Sequence, residues 1–177
     1  KEKKVILREI DMVTDDPRQH QWILFQKNLF ERHPAKNPTY GTIETVKFIT
    51  QEKLFDYYKS YYAPNNMILS IVGNVNNIKP KIEKYFSILS SKKIPEKKEI
   101  KEPAQNKTKN FVEKRKIQNS YIVLGYKTVP RLHEDSYALD VISAVLGRGQ
   151  SGWIFDEIRN KHGLSYQTGV QAENESD

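Results

Sequence analysis

The chain has 177 residues, of which 37% are hydrophobic and 29% are charged, and it contains no cysteine. This length allows one large domain or two incomplete ones, with enough apolar residues to bury a core. The missing cysteines exclude disulfides, cysteine-based zinc sites and cysteine nucleophiles. No apolar run approaches the roughly 20 residues of a membrane span, so we expect no transmembrane segment. The net charge of +7 makes a basic nucleic-acid-binding module a remote alternative.

The first part of the chain is predicted to be mostly helical. Asp16 and Pro17 provide an N-cap and a first helical position, whereas the helix before them has no N-cap and looks cut in the middle. The predicted elements are helices over residues 1–13, 18–30 and 53–61, a buried strand over 67–73, and a short helix over 80–86.

The second part begins after a change in composition. Lys, Glu, Pro, Ser and Asn dominate residues 91–109, which is typical of an exposed connector. We therefore predict a first domain over residues 1–90 and a second over 110–177. The predicted elements of the second domain are strands over 120–126 and 164–170, helices over 135–146 and 153–161, and a glycine-rich turn over 147–152.

The first helix carries two carboxylates in an unexpected place. At 3.6 residues per turn, Glu2 and Glu9 fall near the middle of the apolar arc of the helix, and they stack about 10.5 Å apart along its axis. A carboxylate that faces a protein interior is costly unless a cation meets it. Two interpretations follow: each pairs with an Arg or Lys elsewhere, or one ligates a metal ion and the other supports it.

The order of several motifs resembles the pitrilysin/insulinase family of zinc metallopeptidases, which includes the mitochondrial processing peptidases. The segments that carry this resemblance are KEKKVILREIDM at residues 1–12 with DDP at 15–17, HP at 33–34 with YGT at 40–42, YYAPNNM at 61–67 with IVGN at 71–74, IEKYF at 82–86, LGRGQSGWIF at 146–155, and IRNKHGLSY at 158–166. Each motif is weak alone, but together they span essentially the whole chain in the family's order.

The resemblance implies an α+β fold, with two-layer units of mostly antiparallel sheet packed with helices and paired as a clamshell around an unfolded peptide. It implies Zn²⁺ that activates water and polarises the scissile carbonyl. Glu9 would be the third zinc ligand, and Glu2 the acidic residue that supports the site. Arg159 and Tyr166 would bind the substrate, because both can donate hydrogen bonds to a carbonyl oxygen. The alternative is that Arg159 is simply an exposed arginine of a helix and Tyr166 a tyrosine of a strand that packs in the core.

The family's H-x-x-E-H motif, which holds two histidine ligands and the general base, is not in this sequence. The zinc would therefore be shared with residues outside the chain. We expect a segment or split subunit of a zinc metalloendopeptidase, inactive alone, whose partner chain or missing upstream segment carries H-x-x-E-H and whose substrate is a peptide or unfolded polypeptide. The alternative is a non-catalytic family member or partner subunit. The sequence does not identify the compartment, although a cytoplasmic one is favoured.

Overall fold

The computed structural model of the protein describes residues 2–173, and its regular elements are helical. The α-helices are α1 (Glu2–Asp15), α2 (Pro17–Leu29), α3 (Ile43–Phe48), α4 (Gln51–Tyr61), α5 (Ile78–Phe86), α6 (Ser136–Gly147) and α7 (Trp153–Phe155). Three 3-10 turns lie at Pro34–Lys36, Pro64–Asn66 and Gly149–Ser151, and a π-helix covers Asp156–Lys161. No helix in this described range is long and apolar enough to cross a bilayer.

The predicted α+β fold is wrong for this chain, because residues 2–173 form no strand. The predicted strands over 67–73, 120–126 and 164–170 have strand-like composition but are not paired into a ladder. Their apolar side chains are not buried either: Ile68 is 99% exposed and Ile122 is 86% exposed. A strand requires a hydrogen-bonded neighbour as well as a suitable composition. The correction extends to the predicted two-layer units, since residues 2–173 form no sheet in either unit.

The helix starts follow local capping chemistry. The Asp16 carboxylate accepts a hydrogen bond from the Arg18 backbone N–H at 2.9 Å, with Pro17 at the first helical position, so the predicted start of α2 is confirmed. α3 was not predicted. It starts with a reciprocal pair in which the Thr42 hydroxyl accepts from the Thr45 backbone N–H at 3.2 Å, while the Thr45 hydroxyl accepts from the Thr42 N–H at 2.8 Å.

One structural unit comprises residues 1–99 and 114–123. In it α1 contacts α2 and α3, and Ile10 and Val46 are the buried apolar residues of α1 and α3. The Arg115 guanidinium ties a distant segment to this group, because it donates to the Thr14 carbonyl at 2.6 Å and contacts Nε2 of His20 at 2.9 Å. The predicted domain bounds at 1–90, 91–109 and 110–177 stay a prediction.

The second unit comprises residues 100–113 and 124–177. α6 contacts α7, and α7 leads directly into the π-helix. A half-buried ion pair joins Lys127 to Glu102 at 2.9 Å, and the same ammonium donates to the Pro103 carbonyl at 2.8 Å. The backbone at Val170 lies against Gly147 at the end of α6. This contact keeps the segment after the π-helix close to α6.

The contact at Gly147 gives a stability prediction. A Cβ added there would lie 2.7 Å from Cβ of Val170 and 2.8 Å from its backbone N and O, so Gly147→Ala requires the two segments to separate. We expect a loss of about 1–3 kcal/mol in the free energy of unfolding, measured by urea denaturation. Gly169→Ala is the matched control, because no heavy atom lies within 4 Å of its added Cβ. Equal stability of the two variants would contradict the packing described here.

Candidate functional site

Arg159 lies in the π-helix that follows α7. The Gly163 N–H donates to the Arg159 carbonyl at 3.1 Å, and the Leu164 N–H donates to the Ile158 carbonyl at 2.9 Å. Gly163 has φ +60°, a left-handed conformation that suits glycine at a helix end. Short π-helical turns are rare and often occur at functional sites. The turn brings the chain back so that Tyr166 returns toward Arg159.

The carboxylates of the π-helix are matched to cations of the same turn. The Lys161 ammonium lies 2.9 Å from Oε2 of Glu157 and 3.4 Å from Oδ2 of Asp156, and Nε2 of His162 lies 3.3 Å from Oε1 of Glu157. Hydrogen bonds from Asn160 and then Lys161 lower the pKa of Asp156. The hydrogen bond from Lys161 also lowers the pKa of Glu157 and, reciprocally, raises the pKa of Lys161.

Arg159 contacts aromatic rings. Its guanidinium carbon lies 4.1 Å from the ring centroid of Tyr166 and 4.7 Å from that of Phe155. Both distances fall within the range of a cation–π contact. Tyr166 is 75% exposed, so its phenol is accessible from outside the chain. The two residues predicted to bind substrate therefore lie together, while their role in binding stays a prediction.

Phe155 was not predicted as part of this site. Its spacing of four residues before Arg159 is the usual spacing of contacting side chains on a helix, so a signal was present in the sequence. That signal is weak, because most aromatic side chains at this spacing contribute to packing rather than to a site.

Glu2 and Glu9 share α1, but they are exposed rather than buried within this chain. The apolar arc of α1 is covered only on one side: Ile10 is buried, whereas Met12 on the opposite edge is 71% exposed. At 100° per residue, Glu2 lies midway between Ile10 and Met12, and Glu9 lies somewhat closer to Met12. The interior position expected for them is therefore not found in this chain, and their metal-binding role stays a prediction.

The described residues do not form a zinc site by themselves. Between residues 2 and 173, no group of three His, Cys, Asp or Glu side chains is arranged to hold a metal ion. A catalytic zinc takes three protein ligands and one open position, so the single carboxylate predicted as a ligand, Glu9, would not be enough. An exposed carboxylate can still donate one ligand to an ion that other residues hold.

Comparison with known proteins identifies the family. Residues 49–177 match the model of the Peptidase M16 inactive domain. This match covers well over half of the chain, and the chain belongs to the Peptidase M16 family. The resemblance to pitrilysin/insulinase zinc metallopeptidases predicted from the sequence is therefore confirmed. Arg159 and Tyr166 lie within the matched segment, whereas Glu2 and Glu9 precede it.

Several curated relatives are named as zinc proteases. The chain is 30% identical over 167 residues to the uncharacterized zinc protease YmxG of Bacillus subtilis, covering 94% of this chain and 40% of that protein. It is 30% identical over 173 residues to the zinc protease PqqE of Helicobacter pylori, covering 94% of this chain and 39% of PqqE. An uncharacterized zinc protease of Streptomyces coelicolor is 28% identical over 172 residues, covering 93% of this chain and 38% of that protein. The chain thus spans about two-fifths of the length of these relatives.

A solved structure shows the same similarity in three dimensions. The chain superposes on a protease from Helicobacter pylori with a TM-score of 0.78 and 26% sequence identity, covering 99% of this chain and 44% of that protein. The family assignment therefore rests on both the sequence and the arrangement of the backbone.

The ion pairs of the π-helix give a prediction for pH. Since the pKa of Glu157 is lowered in the folded protein, its ionised carboxylate stabilises the fold above the ordinary pKa of 4.5. This stabilisation is lost as pH falls through the lowered pKa. Because the pKa of Lys161 is raised, its ammonium stabilises the fold below the ordinary pKa of 10.5, and this stabilisation is lost as pH rises through the raised pKa. We expect Glu157→Gln to lower the thermal midpoint at pH 7 and to have little effect at pH 3. Glu134→Gln, an exposed glutamate outside this turn, is the control, and an equal pH profile for both variants would contradict the pairing.

Proposed function

We propose that this chain forms the substrate-contacting part of a zinc-dependent endopeptidase, and that it adds one carboxylate to the zinc shell. The two histidine ligands and the general base would come from an upstream segment or a partner chain that carries H-x-x-E-H. The observation that supports the proposal most directly is the contact between Arg159 and Tyr166 at 4.1 Å inside the matched family segment.

The chemistry of this pair suits a peptide substrate. A guanidinium presents several N–H donors and a phenol presents one O–H donor, so together they can bind neighbouring backbone carbonyl oxygens. The same donors can stabilise negative charge that develops on a carbonyl oxygen during attack by water. Backbone atoms are common to all peptides, so this recognition suits an unfolded polypeptide, held in a closed cavity, rather than one particular side chain.

Glu9 and Glu2 would bind and support the zinc ion. Glu9 would complete the zinc ligands, and Glu2, seven residues earlier on the same side of α1, would support the site through an outer contact. Both carboxylates are exposed in this chain, so they are accessible to residues of another segment or chain. When bound, the zinc would activate a water molecule and polarise the scissile carbonyl.

A second candidate is a non-catalytic family member that binds peptides without cleaving them. The description of the matched model as an inactive domain favours it. Cleavage of an unfolded peptide by the assembled protein, meaning this chain together with the polypeptide that carries H-x-x-E-H, would support the endopeptidase. Zinc-independent peptide binding without cleavage by the same assembly would support the second candidate.

Arg159→Ala in the assembled peptidase tests the substrate contact. Loss of hydrogen bonds from a charged donor is worth about 1.5–3 kcal/mol, so we expect kcat/KM for an unfolded peptide to fall by roughly 10- to 100-fold. Arg131→Ala removes an exposed arginine from the same unit and is the matched control. Equal cleavage by both variants would remove Arg159 from the proposed site.

Glu9→Gln in the assembled peptidase tests the metal role. A neutral amide is a much poorer zinc ligand than a carboxylate, so we expect loss of stoichiometric zinc, measured by atomic absorption, together with loss of cleavage. Glu2→Gln should weaken zinc binding by roughly 10- to 100-fold, as outer-shell substitutions do.

The matched control for both variants is Asp11→Asn, which neutralises an exposed carboxylate on the other side of α1. It should keep both zinc and activity. Retained zinc and unchanged cleavage in Glu9→Gln would refute the assignment of Glu9 as a zinc ligand. The substrate contact of Arg159 is tested separately by Arg159→Ala.

A further inference from the structure

Phe155 is the last residue of α7 and immediately precedes the π-helix. Its side chain is half-buried, and its ring lies under the Arg159 guanidinium at 4.7 Å. The ring has no hydrogen-bonding group, so Phe155 cannot donate to a substrate carbonyl as Arg159 and Tyr166 can. Its influence on hydrogen bonding to a bound peptide would therefore act through Arg159, whose guanidinium it contacts.

The charges around Arg159 explain why a ring contact matters there. Asp156 and Glu157, the acidic side chains of its own turn, contact Lys161, and Glu157 also contacts His162. Arg159 lies over aromatic rings instead. A planar, weakly hydrated guanidinium can stack on aromatic faces while its N–H groups point outward along its edges. The rings can thus orient the cation without occupying its hydrogen-bond donors.

We propose that Phe155 is a positioning residue that holds the Arg159 guanidinium beside Tyr166 before a peptide binds. This inference rests on the proposed peptide-binding role of Arg159. An arginine side chain loses much rotamer freedom when it is immobilised on a ligand, and a side chain that is already restrained loses less. Tyr166 is exposed, whereas Phe155 is half-buried, so the Phe155 ring is the better-anchored of the two contacts.

The test uses two variants that remove the ring but keep apolar volume, Phe155→Leu and Phe155→Met, in the assembled peptidase. We expect KM for an unfolded peptide to rise by roughly two- to ten-fold while kcat changes by less than about two-fold, because the bound guanidinium still makes the same contacts. Phe155→Tyr keeps the ring and should restore KM. Having two ring-free variants keeps the test decisive if one of them does not fold.

A spectroscopic readout separates positioning from general stability. Stacking on aromatic rings shifts the arginine side-chain proton resonances, so the Arg159 Nε–H signal should move toward its solvent-exposed position in the Leu and Met variants and stay in place in Phe155→Tyr. Trp153→Leu is the matched control, since it removes an exposed aromatic ring from the same short helix. It should leave both the Arg159 signal and KM unchanged.

The outcomes distinguish this inference from the proposed function. If Arg159→Ala impairs cleavage but Phe155→Leu and Phe155→Met change neither KM nor the Arg159 signal, the positioning role is refuted and the proposed function stands. If Arg159→Ala leaves cleavage unchanged, the positioning role of Phe155 and the proposed substrate contact of Arg159 are both refuted, whereas the endopeptidase activity is not. A rise in KM that Phe155→Tyr reverses and that follows the shift of the Arg159 signal supports the positioning role.

Discussion

The distribution of charge in one short turn decides what the candidate site can offer to a ligand. Asp156 and Glu157 contact Lys161, and the guanidinium of Arg159 lies over the rings of Phe155 and Tyr166. An arginine with a close carboxylate partner would have to give up that ion pair to bind a carbonyl oxygen. An arginine stacked on rings keeps its donors for the ligand, and the cost of orienting it is met during folding. The geometry of the π-helix thus separates charges that pair with one another, on Asp156, Glu157 and Lys161, from the Arg159 guanidinium, which stacks on rings.

The burial of side chains on α1 depends on which helices pack against it as well as on the hydrophobic pattern of its sequence. The contacts of α1 with α2 and α3 bury Ile10 and leave Val5 and Met12 at least partly exposed, and Glu2 and Glu9, which lie between the Ile10 and Met12 edges, are exposed as well. Single apolar side chains among carboxylates are common on protein surfaces, and the exposed carboxylates stay accessible to another polypeptide. This arrangement is compatible with the proposed sharing of a metal ion between polypeptides.

Local signals in the sequence predicted local structure, whereas pairing over long distances was not predictable. Asp16 correctly located the start of α2, but α3 was missed because Thr45 is not a usual capping-box residue at that position. Residues 67–73 have strand composition, yet composition carries no information about a hydrogen-bonding neighbour, and none is found in the described chain. Motif order identified Arg159, while the contact between Phe155 and Arg159 was missed because an aromatic residue four positions before an arginine is a weak signal that more often marks packing.

The exposed apolar stretch over residues 67–73 has a consequence for the behaviour of the chain in solution. Ile68 and Val72 are 99% and 95% exposed, and such backbone without ladder partners is a template for association between copies. The net charge of +7 opposes this tendency, because like-charged copies repel one another. Salt shortens the range of that repulsion to about 10 Å at 0.1 M while leaving apolar attraction intact. Colloidal stability of the isolated polypeptide is thus greatest at low ionic strength.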